Sequence, residues 1–532
     1  MIQEKLNYRD AHYFSDLMCA YMDGSEELKD FYHLAPELKN FKKQLDVKAV
    51  NYPVKNRKCL QSSILQQYKN LADADASLKN ISQLADQKTF TITTGHQLNL
   101  FTGPLYFLYK IISVINLCKQ LKKEYADYNF VPVYWMATED HDFEEIQYFN
   151  FEGKKIVWER ESAGAVGRLD TLGLEAVLKT LKQVLGNSDN SRFLLELFEK
   201  AYIKHGNLAD ATRFLAHELF KKDGLVIVDG DDASLKELMI PYFKDELLHK
   251  SSHREVSETI VNWPSDYKVQ VNPREINLFY LTNELRERIV YEDDVYKVID
   301  TGIQFTKEEI LKELHNYPER FSPNVILRPF YQEVILPNLC YIGGGGEMAY
   351  WLELKRYFDS QNITFPILLM RNSVLLITEK QKDKSSKLSL DVKDLFLKDH
   401  QLAAKVTKQQ SEIVIDFTQQ REHLKQQFNS LHELALKTDP SFKGAVAAQE
   451  QKQINGLNHL EKRLLKAQKR KLHDYVNRAS ILQIELFPQK NLQERKENFA
   501  VFYQEYGSEL LTVLKDQLDP LDTRFTTIIL KD

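Results

Sequence analysis

Apolar and polar positions change their period three times along the chain. Up to about residue 85 the apolar positions fall at helical spacing, with Tyr13, Phe14, Leu17, Met18 and Tyr21 on one face. This predicts a helical cap with no chemistry of its own. From about residue 88, β-branched and apolar runs alternate with helical stretches. Thr91-Ile92-Thr93-Thr94 and the run from Phe130 to Ala137 predict two strands. Between them lies a helix whose face carries Leu108, Ile111, Ile112, Ile115, Cys118 and Leu121. Further strands are predicted at 224–228, 324–328, 339–342 and 364–370. Strands alternating with helices indicate an open α/β sheet. Residues 267–281 predict two strands around Pro273-Arg274-Glu275, and β-like alternation continues from Glu284 to Ile299. Together they predict a β-rich insertion at about 260–300.

Beyond residue 388 the period becomes heptad-like. Phe417, Leu424, Phe428, Leu431 and Ala435 form one seam, and Leu457, Leu460, Leu464 and Ala467 another. The break at 438–444 contains Asp439-Pro440 and Gly444, as a hairpin tip would. The expected organisation is a core over 1–387, an antiparallel coiled-coil stalk over 388–482, and a segment over 483–532 that returns to the core. There, Thr526 to Leu530 is expected to pair at the sheet edge.

Composition narrows the class. A length of 532 residues suggests about two to four domains. The chain is 43% hydrophobic and 28% charged, with a net charge of −5, which suits a globular protein and gives no support to nucleic-acid binding. The four cysteines, Cys19, Cys59, Cys118 and Cys340, are scattered and form no CxxC pair, so a reducing cytoplasm is expected. The start lacks a signal-peptide pattern, and no run of about 18 apolar residues predicts a membrane span.

Candidate chemistry gathers at predicted strand ends, where open α/β sheets bind ligands. The first strand runs into Thr94-Gly95-His96-Gln97, followed by Asn99 and Gly103. Glycine at such a turn lets backbone N–H groups approach an anion, although a tight turn without a ligand has the same appearance. His96 is either an acid, a phosphate donor or a structural hydrogen-bonding group. The second strand ends in Glu139-Asp140-His141-Asp142. Neighbouring strand residues face opposite ways, so polar substrate contacts are expected here rather than a metal. Asp229-Gly230-Asp231-Asp232 places more acids at a strand end, with helix capping the commoner use. Arg274 is either a carboxylate clamp or paired to Glu275 or another acid. The run Gly343-Gly344-Gly345-Gly346-Glu347 indicates close backbone approach, yet fits neither the dinucleotide fingerprint nor the P-loop. A nucleotide ribose or a substrate amine near Glu347 is expected.

These blocks taken together, with Trp135 to Glu145, Pro273-Arg274-Glu275 followed by Asn277-Leu278-Phe279-Tyr280, and Leu486-Phe487-Pro488 before Gln493-Glu494-Arg495, resemble the bacillithiol-biosynthesis cysteine-adding enzyme family over essentially the full length. The resemblance implies a doubly wound Rossmann-like core with connecting-peptide insertions and a helical stalk through which two subunits dimerise. It implies addition of cysteine to the amine of glucosaminyl malate, and an ATP or ADP site near the stalk base, with no metal. Many members carry Gln where this chain has His96, which favours backbone binding at the Gly95 turn over imidazole chemistry. The expected pocket sets Thr94, Gly95, His96, Gln97, Asn99 and Gly103 against catalytic Glu139, Asp140, His141 and Asp142. Asp140 or Asp142 would hold an ammonium, and His141 or Glu139 would assist proton transfer. Arg274, with Glu275 and Asn277, would meet the malate carboxylates, and Gly344, Gly345 and Glu347 would complete the wall. The residues alone leave two alternatives: a nucleotidyltransferase acting on another small molecule, and a coiled-coil scaffold with an inactive core.

Overall fold

The computed structural model describes residues 3–531. Met1 and Ile2, at the start of the expected cap, and Asp532, at the end of the last segment, lie outside the described residues. The chain divides into two compact units, one of residues 7–374 and 491–526, the other of residues 375–490 with the two chain ends.

The first unit is built on a five-stranded sheet of β1 (Thr89–His96), β2 (Asn129–Met136), β3 (Val226–Asp229), β4 (Asn338–Gly343) and β5 (Ile367–Met370). Their order is β5-β4-β1-β2-β3, and every pairing is parallel. The chain starts at the centre, winds one way through β2 and β3, then returns to the other side of β1 for β4 and β5. This is the doubly wound Rossmann-like arrangement, and its strand order reverses between β1 and β4. All eight residues of β1 are buried, as expected of a parallel strand covered on both faces. Helix α1 (Tyr106–Glu124) follows β1, and helix α2 (Gly345–Leu352) follows β4. Phe41 and Leu45 of the N-terminal cap join Phe90, Ile92, Val114, Leu117, Leu339 and Ile367 in one apolar cluster.

A buried polar chain registers β1 against β4. Asn338 Oδ1 accepts from the hydroxyls of Thr91 (3.2 Å) and Thr93 (2.8 Å), while its Nδ2 donates to Glu333 (2.6 Å). Lys48 Nζ lies 3.3 Å from the same carboxylate, and both charged side chains are buried. Each polar group inside therefore has a partner, as burial demands.

The β-rich insertion is a separate antiparallel sheet, of order Gln304–Phe305, Val295–Val298, Arg286–Glu292, Leu278–Leu281 and Phe321–Pro323. It reaches further along the chain than 300. Two expected strands are absent. Gln270 and Val271 give their N–H groups to the buried Glu353 carboxylate, at 2.6 and 3.1 Å, and so have none for a ladder. Around 324–328 a helix begins instead. Asn324 Oδ1 accepts from the N–H groups of Ile326 (2.9 Å) and Leu327 (3.3 Å), and the helix Leu327–Ile335 tolerates Pro329 in its first turn.

Gln3–Asn7, Arg524–Leu530 and Val374–Thr378 form a three-stranded sheet with the C-terminal strand in the middle. The last strand thus has its own sheet and does not extend the parallel one. The start of the chain is a strand where helix was expected, because its partner lies some 520 residues away and leaves no local period. The coiled coil consists of α3 (Thr418–Ala435) and α4 (Pro440–Lys471). Phe428, Ala435 and Val446 are buried between them, with Leu424 alongside. Asp439 caps α4 by accepting the Ser441 N–H at 2.8 Å, and Pro440 occupies the first helical position. Among the described residues no helix is long and apolar enough to cross a membrane.

Glu353 gives the fold a pH dependence. Burial drives its pKa from 4.5 up to about 7, outweighing the two backbone N–H groups that lower it. Between these values the folded state binds a proton that the unfolded state has lost, so stability falls as pH rises from about 4.5 through about 7. Glu353→Gln is expected to flatten that part of the profile of melting temperature against pH. An unchanged slope would exclude Glu353 as its source.

Candidate active site

Open α/β sheets bind ligands beyond the carboxyl ends of their strands where the strand order reverses, which here falls between β1 and β4. One buried cation spans the gap. Lys110, from the first turns of α1, donates to the Gly95 carbonyl at 2.6 Å and meets Glu347 Oε2 at 2.6 Å, with its side chain only 4% exposed. Glu347 also accepts the Gly344 N–H at 2.7 Å and the Tyr341 hydroxyl at 3.0 Å. Burial alone would raise its pKa, but Lys110, the Gly344 N–H and Tyr341 together hold it below the usual carboxylate range. Thr94 closes the seam by donating to the Ile342 carbonyl at 2.7 Å. A Cβ on Gly95 would lie 3.0 Å from the Tyr341 hydroxyl, so this turn requires glycine for close approach.

Two guanidinium groups reach the crevice with capacity to spare. Arg371 is 3% exposed. It pairs with Glu494 at 2.8 Å and donates to the Asn372 carbonyl at 2.9 Å. Its Nε is buried without a partner and lies 3.7 Å from where a Cβ on Gly344 would sit. Arg328 Nη2 is likewise buried without a partner, and its Nη1 lies 3.7 Å from a Cβ built on Gly95. The first N–H groups of α2, on Gly345 and Gly346, have no partner within their own helix. Unfilled buried donors such as the two on Arg371 and Arg328 are rare in native proteins. The arrangement suits a carboxylate.

The loop after β1 is held in an unusual conformation. Phe101, Thr102 and Gly103 have φ of 50°, 67° and 63°. Only glycine adopts this region freely. At Gly103 a side chain would also meet Asn99 Cβ at 2.5 Å. Asn498 holds the loop by donating to the carbonyls of Phe101 (2.8 Å) and Gly103 (2.6 Å). His96 is buried against Tyr106 and Phe107 with a ring nitrogen 3.3 Å from the Thr102 carbonyl. Burial, aided by Lys110, pushes its pKa down to about 3, so it is a neutral structural group. Gln97, Asn99, Tyr106, Glu145 and Arg495 line a cavity of about 210 Å³ beside this loop.

The acidic block has divided duties. Glu139 is buried against Lys236 at 2.5 Å. Asp231 binds Arg168 at 2.6 Å, and Asp229 accepts from Thr138 and lies 3.7 Å from Arg213. Asp232 caps the helix Ala233–Glu237. Asp140 accepts from Gln97 Nε2 (2.5 Å) and from the His141 N–H (2.7 Å). Burial favours its protonation, but these bonds and Arg286 prevail and keep its pKa low. Asp142 caps the short helix Phe143–Ile146 through the Glu145 N–H at 3.3 Å. His141 stays half in solvent, with Arg286 Nη1 at 2.6 Å from its Nδ1. A second cavity, of about 700 Å³, is lined by Asp140 to Glu145, Gln147, Arg160 and Ser162. Glu145 therefore borders both cavities, and burial with neighbouring Asp142 and Asp140 raises its pKa.

The structure brings Gly95 and Glu347 together through Lys110, with Gly344 bound to Glu347 and Thr94 bridging to Ile342, and it brings Gln97 together with Asp140; Gly345 lies against Met18 and Met370. It assigns the loop around 274 to other contacts. Arg274 is exposed, Glu275 pairs with Lys250, and Asn277 is buried in a network with Glu246, Ser252 and Asn324. Sequence reasoning missed Lys110, Arg371, Arg328, Asn498, Arg286 and Glu145. Lys110 had a signal: it is the one charged residue between Phe107 and Cys118, in a helix otherwise apolar enough to be buried.

The fold and crevice define a Rossmann-like enzyme with a coiled-coil domain. Residues 1–372 match the family described as "Bacillithiol biosynthesis BshC, N-terminal Rossmann-like domain", and residues 374–530 match "Bacillithiol biosynthesis BshC, C-terminal coiled-coil domain". The chain belongs to this bacillithiol-biosynthesis family. A protein of Flavobacterium johnsoniae named "Putative cysteine ligase BshC" is 58% identical over 98% of this chain and 99% of its own. Proteins of the same name from Cytophaga hutchinsonii and Bacillus cereus AH820 are 37% and 29% identical, over 97% and 92% of this chain and 97% and 94% of theirs.

Removing one partner of a buried ion pair leaves the other charge unpaired. Lys110→Met is therefore expected to destabilise the protein by about 3 kcal/mol in urea unfolding. The double variant Lys110→Met/Glu347→Gln is expected to recover part of that loss. If the double variant is no more stable than the single one, the pair does not bear on stability as described.

Proposed function

We propose that the protein joins the carboxyl of cysteine to the amine of glucosaminyl malate, the step that yields bacillithiol. The observation that carries this reading is a pair of buried donors at the carboxyl ends of β1 and β4, Arg371 Nε near Gly344 and Arg328 Nη2 near Gly95, which have no hydrogen-bond partner among the described residues. Both substrates bring carboxylates, which is the ligand chemistry these donors fit. The names of the relatives support a cysteine ligase. An amide forms only from an activated carboxyl, and the attacking ammonium must first lose a proton. We assign that proton to Glu145, which borders both cavities, because Glu139 is already neutralised by Lys236 and Asp142 by its helix.

An adenine nucleotide is proposed as a ligand of the coiled-coil unit. In the coiled-coil unit a cavity of about 260 Å³ combines Leu402, Ala403 and Val476 with His400 and Lys469, the apolar and cationic groups a nucleotide needs. Homodimerisation through the coiled coil is supported by the exposed Leu431, Leu434, Leu436 and Leu460 on its surface.

The decisive measurement uses a bacillithiol-producing bacterium deprived of its own cysteine-adding enzyme. Expression of this protein is expected to restore bacillithiol, detected by mass spectrometry of derivatised thiols. Continued accumulation of glucosaminyl malate would refute the reading. Glu145→Gln is expected to lower the rate by about 100-fold or more, the usual size of a general-base effect. Wild-type activity should rise with pH through the raised Glu145 pKa, since the base must be ionised, and the variant should lack that limb. In sedimentation, Leu434→Glu/Leu460→Glu should shift a dimer to monomer, and an unshifted dimer would place the interface elsewhere.

A further inference from the structure

Arg286 comes from the β-rich insertion and is 8% exposed. Its Nε donates to the Ser322 hydroxyl at 3.1 Å and its Nη2 to the Pro323 carbonyl at 3.1 Å. Its guanidinium lies over the Phe279 ring at 4.0 Å. The group is thus fixed on rigid strands, with Nη1 at 2.6 Å from His141 Nδ1. A guanidinium only donates hydrogen bonds, so Nδ1 must accept. The proton of a neutral imidazole then resides on Nε2. The other charged group facing the ring is Asp140, whose Oδ1 is 3.7 Å from Nδ1, too far for a hydrogen bond, and is already engaged by the His141 N–H. The Phe279 ring packs against the imidazole at 5.6 Å. His141 belongs to the wall of the 700 Å³ cavity, and with Nδ1 held by Arg286, Nε2 is the ring nitrogen left to meet a ligand there.

We infer that Arg286 is a positioning residue that holds His141 as the Nε2–H imidazole, so that His141 serves the cavity as a hydrogen-bond donor to an acyl or phosphoryl oxygen. A base needs a free lone pair on the edge facing the substrate, and this edge has none. The placement agrees with a reaction in which negative charge develops on an oxygen while a different group, a carboxylate, takes the amine proton. The use made of the donor rests on the ligase reading above; the tautomer does not.

The test is nuclear magnetic resonance of the full-length protein labelled with ¹⁵N-histidine, at mildly alkaline pH, with His141→Gln supplying the assignment. The expected spectrum shows His141 protonated on Nε2 and bare on Nδ1. A proton on Nδ1, which would turn the ring toward Asp140, overturns the inference. Arg286→Gln is expected to release the ring into a mixture of tautomers, whereas a retained single Nε2–H form would show that something else selects it. In the bacterial assay, His141→Gln should reduce bacillithiol formation by about 100-fold, the effect of losing one preorganised donor. Undiminished formation overturns the donor role. A wild-type protein with the expected tautomer that restores no bacillithiol would refute the ligase reading while leaving the Arg286–His141 assignment intact.

Discussion

A single buried ammonium organises the centre of this molecule. Lys110 lies beneath the point where the strand order reverses, and without a counter-charge its burial would be prohibitive. Glu347 supplies the charge and the Gly95 carbonyl supplies a second acceptor, so one cation fixes the distance between two turns on different strands. Everything distinctive about the crevice follows from that constraint. Gly95 must lack a side chain because Tyr341, itself bound to Glu347, fills the space above it. Glu347 folds back to accept the Gly344 N–H and so caps the start of α2. Arg371, next in line, is left with one donor facing the gap.

The sheet was legible because a parallel core writes its strands as short apolar or β-branched runs: β2, β3, β4 and β5 centre on apolar runs, and β1 on Thr91-Ile92-Thr93-Thr94. The coiled coil was legible from its heptads. What failed was local sequence overruled by a distant partner. Residues 267–271 have the alternation of a strand, yet Glu353, more than 80 positions away, takes their N–H groups. Asn324 looked like the start of a strand and proved to be a helix start, because its side chain satisfies the two N–H groups that follow. Residues 3–7 form a strand only because the other end of the chain provides a ladder.

At the site, glycines and acids stood out in the sequence because their types are conspicuous at strand ends. Their roles did not, since a carboxylate serves equally well as a cap, an ion-pair partner or a base. Asp142 and Asp232 became caps, Glu139 and Asp231 became partners of buried cations, and Asp140 became the acceptor that orients Gln97. Their cationic partners Lys236, Arg168 and Arg286 were invisible as a set, because they come from three separate parts of the chain. Glu145 was overlooked for the opposite reason: its carboxylate, which borders both cavities, has no structural duty among the described contacts, and nothing in its sequence context says so.

The segment after residue 490 explains how such a loop as 101–103 persists. Three successive residues with positive φ, one of them a β-branched threonine, are unfavourable unless the surroundings over-determine them. Asn498 binds two of the three carbonyls, Glu497 O accepts from the Leu105 N–H at 2.7 Å, and Tyr202 receives the Phe101 N–H at 2.8 Å. The same segment carries Glu494, the partner of Arg371, and Arg495 in the smaller cavity wall. A stretch of chain that re-enters the first unit after the coiled coil therefore completes both the strained loop and the cationic crevice. The site is therefore not complete within the β1–α1–β2 stretch alone, since residues of that late segment hold its loop and one of its two guanidinium groups.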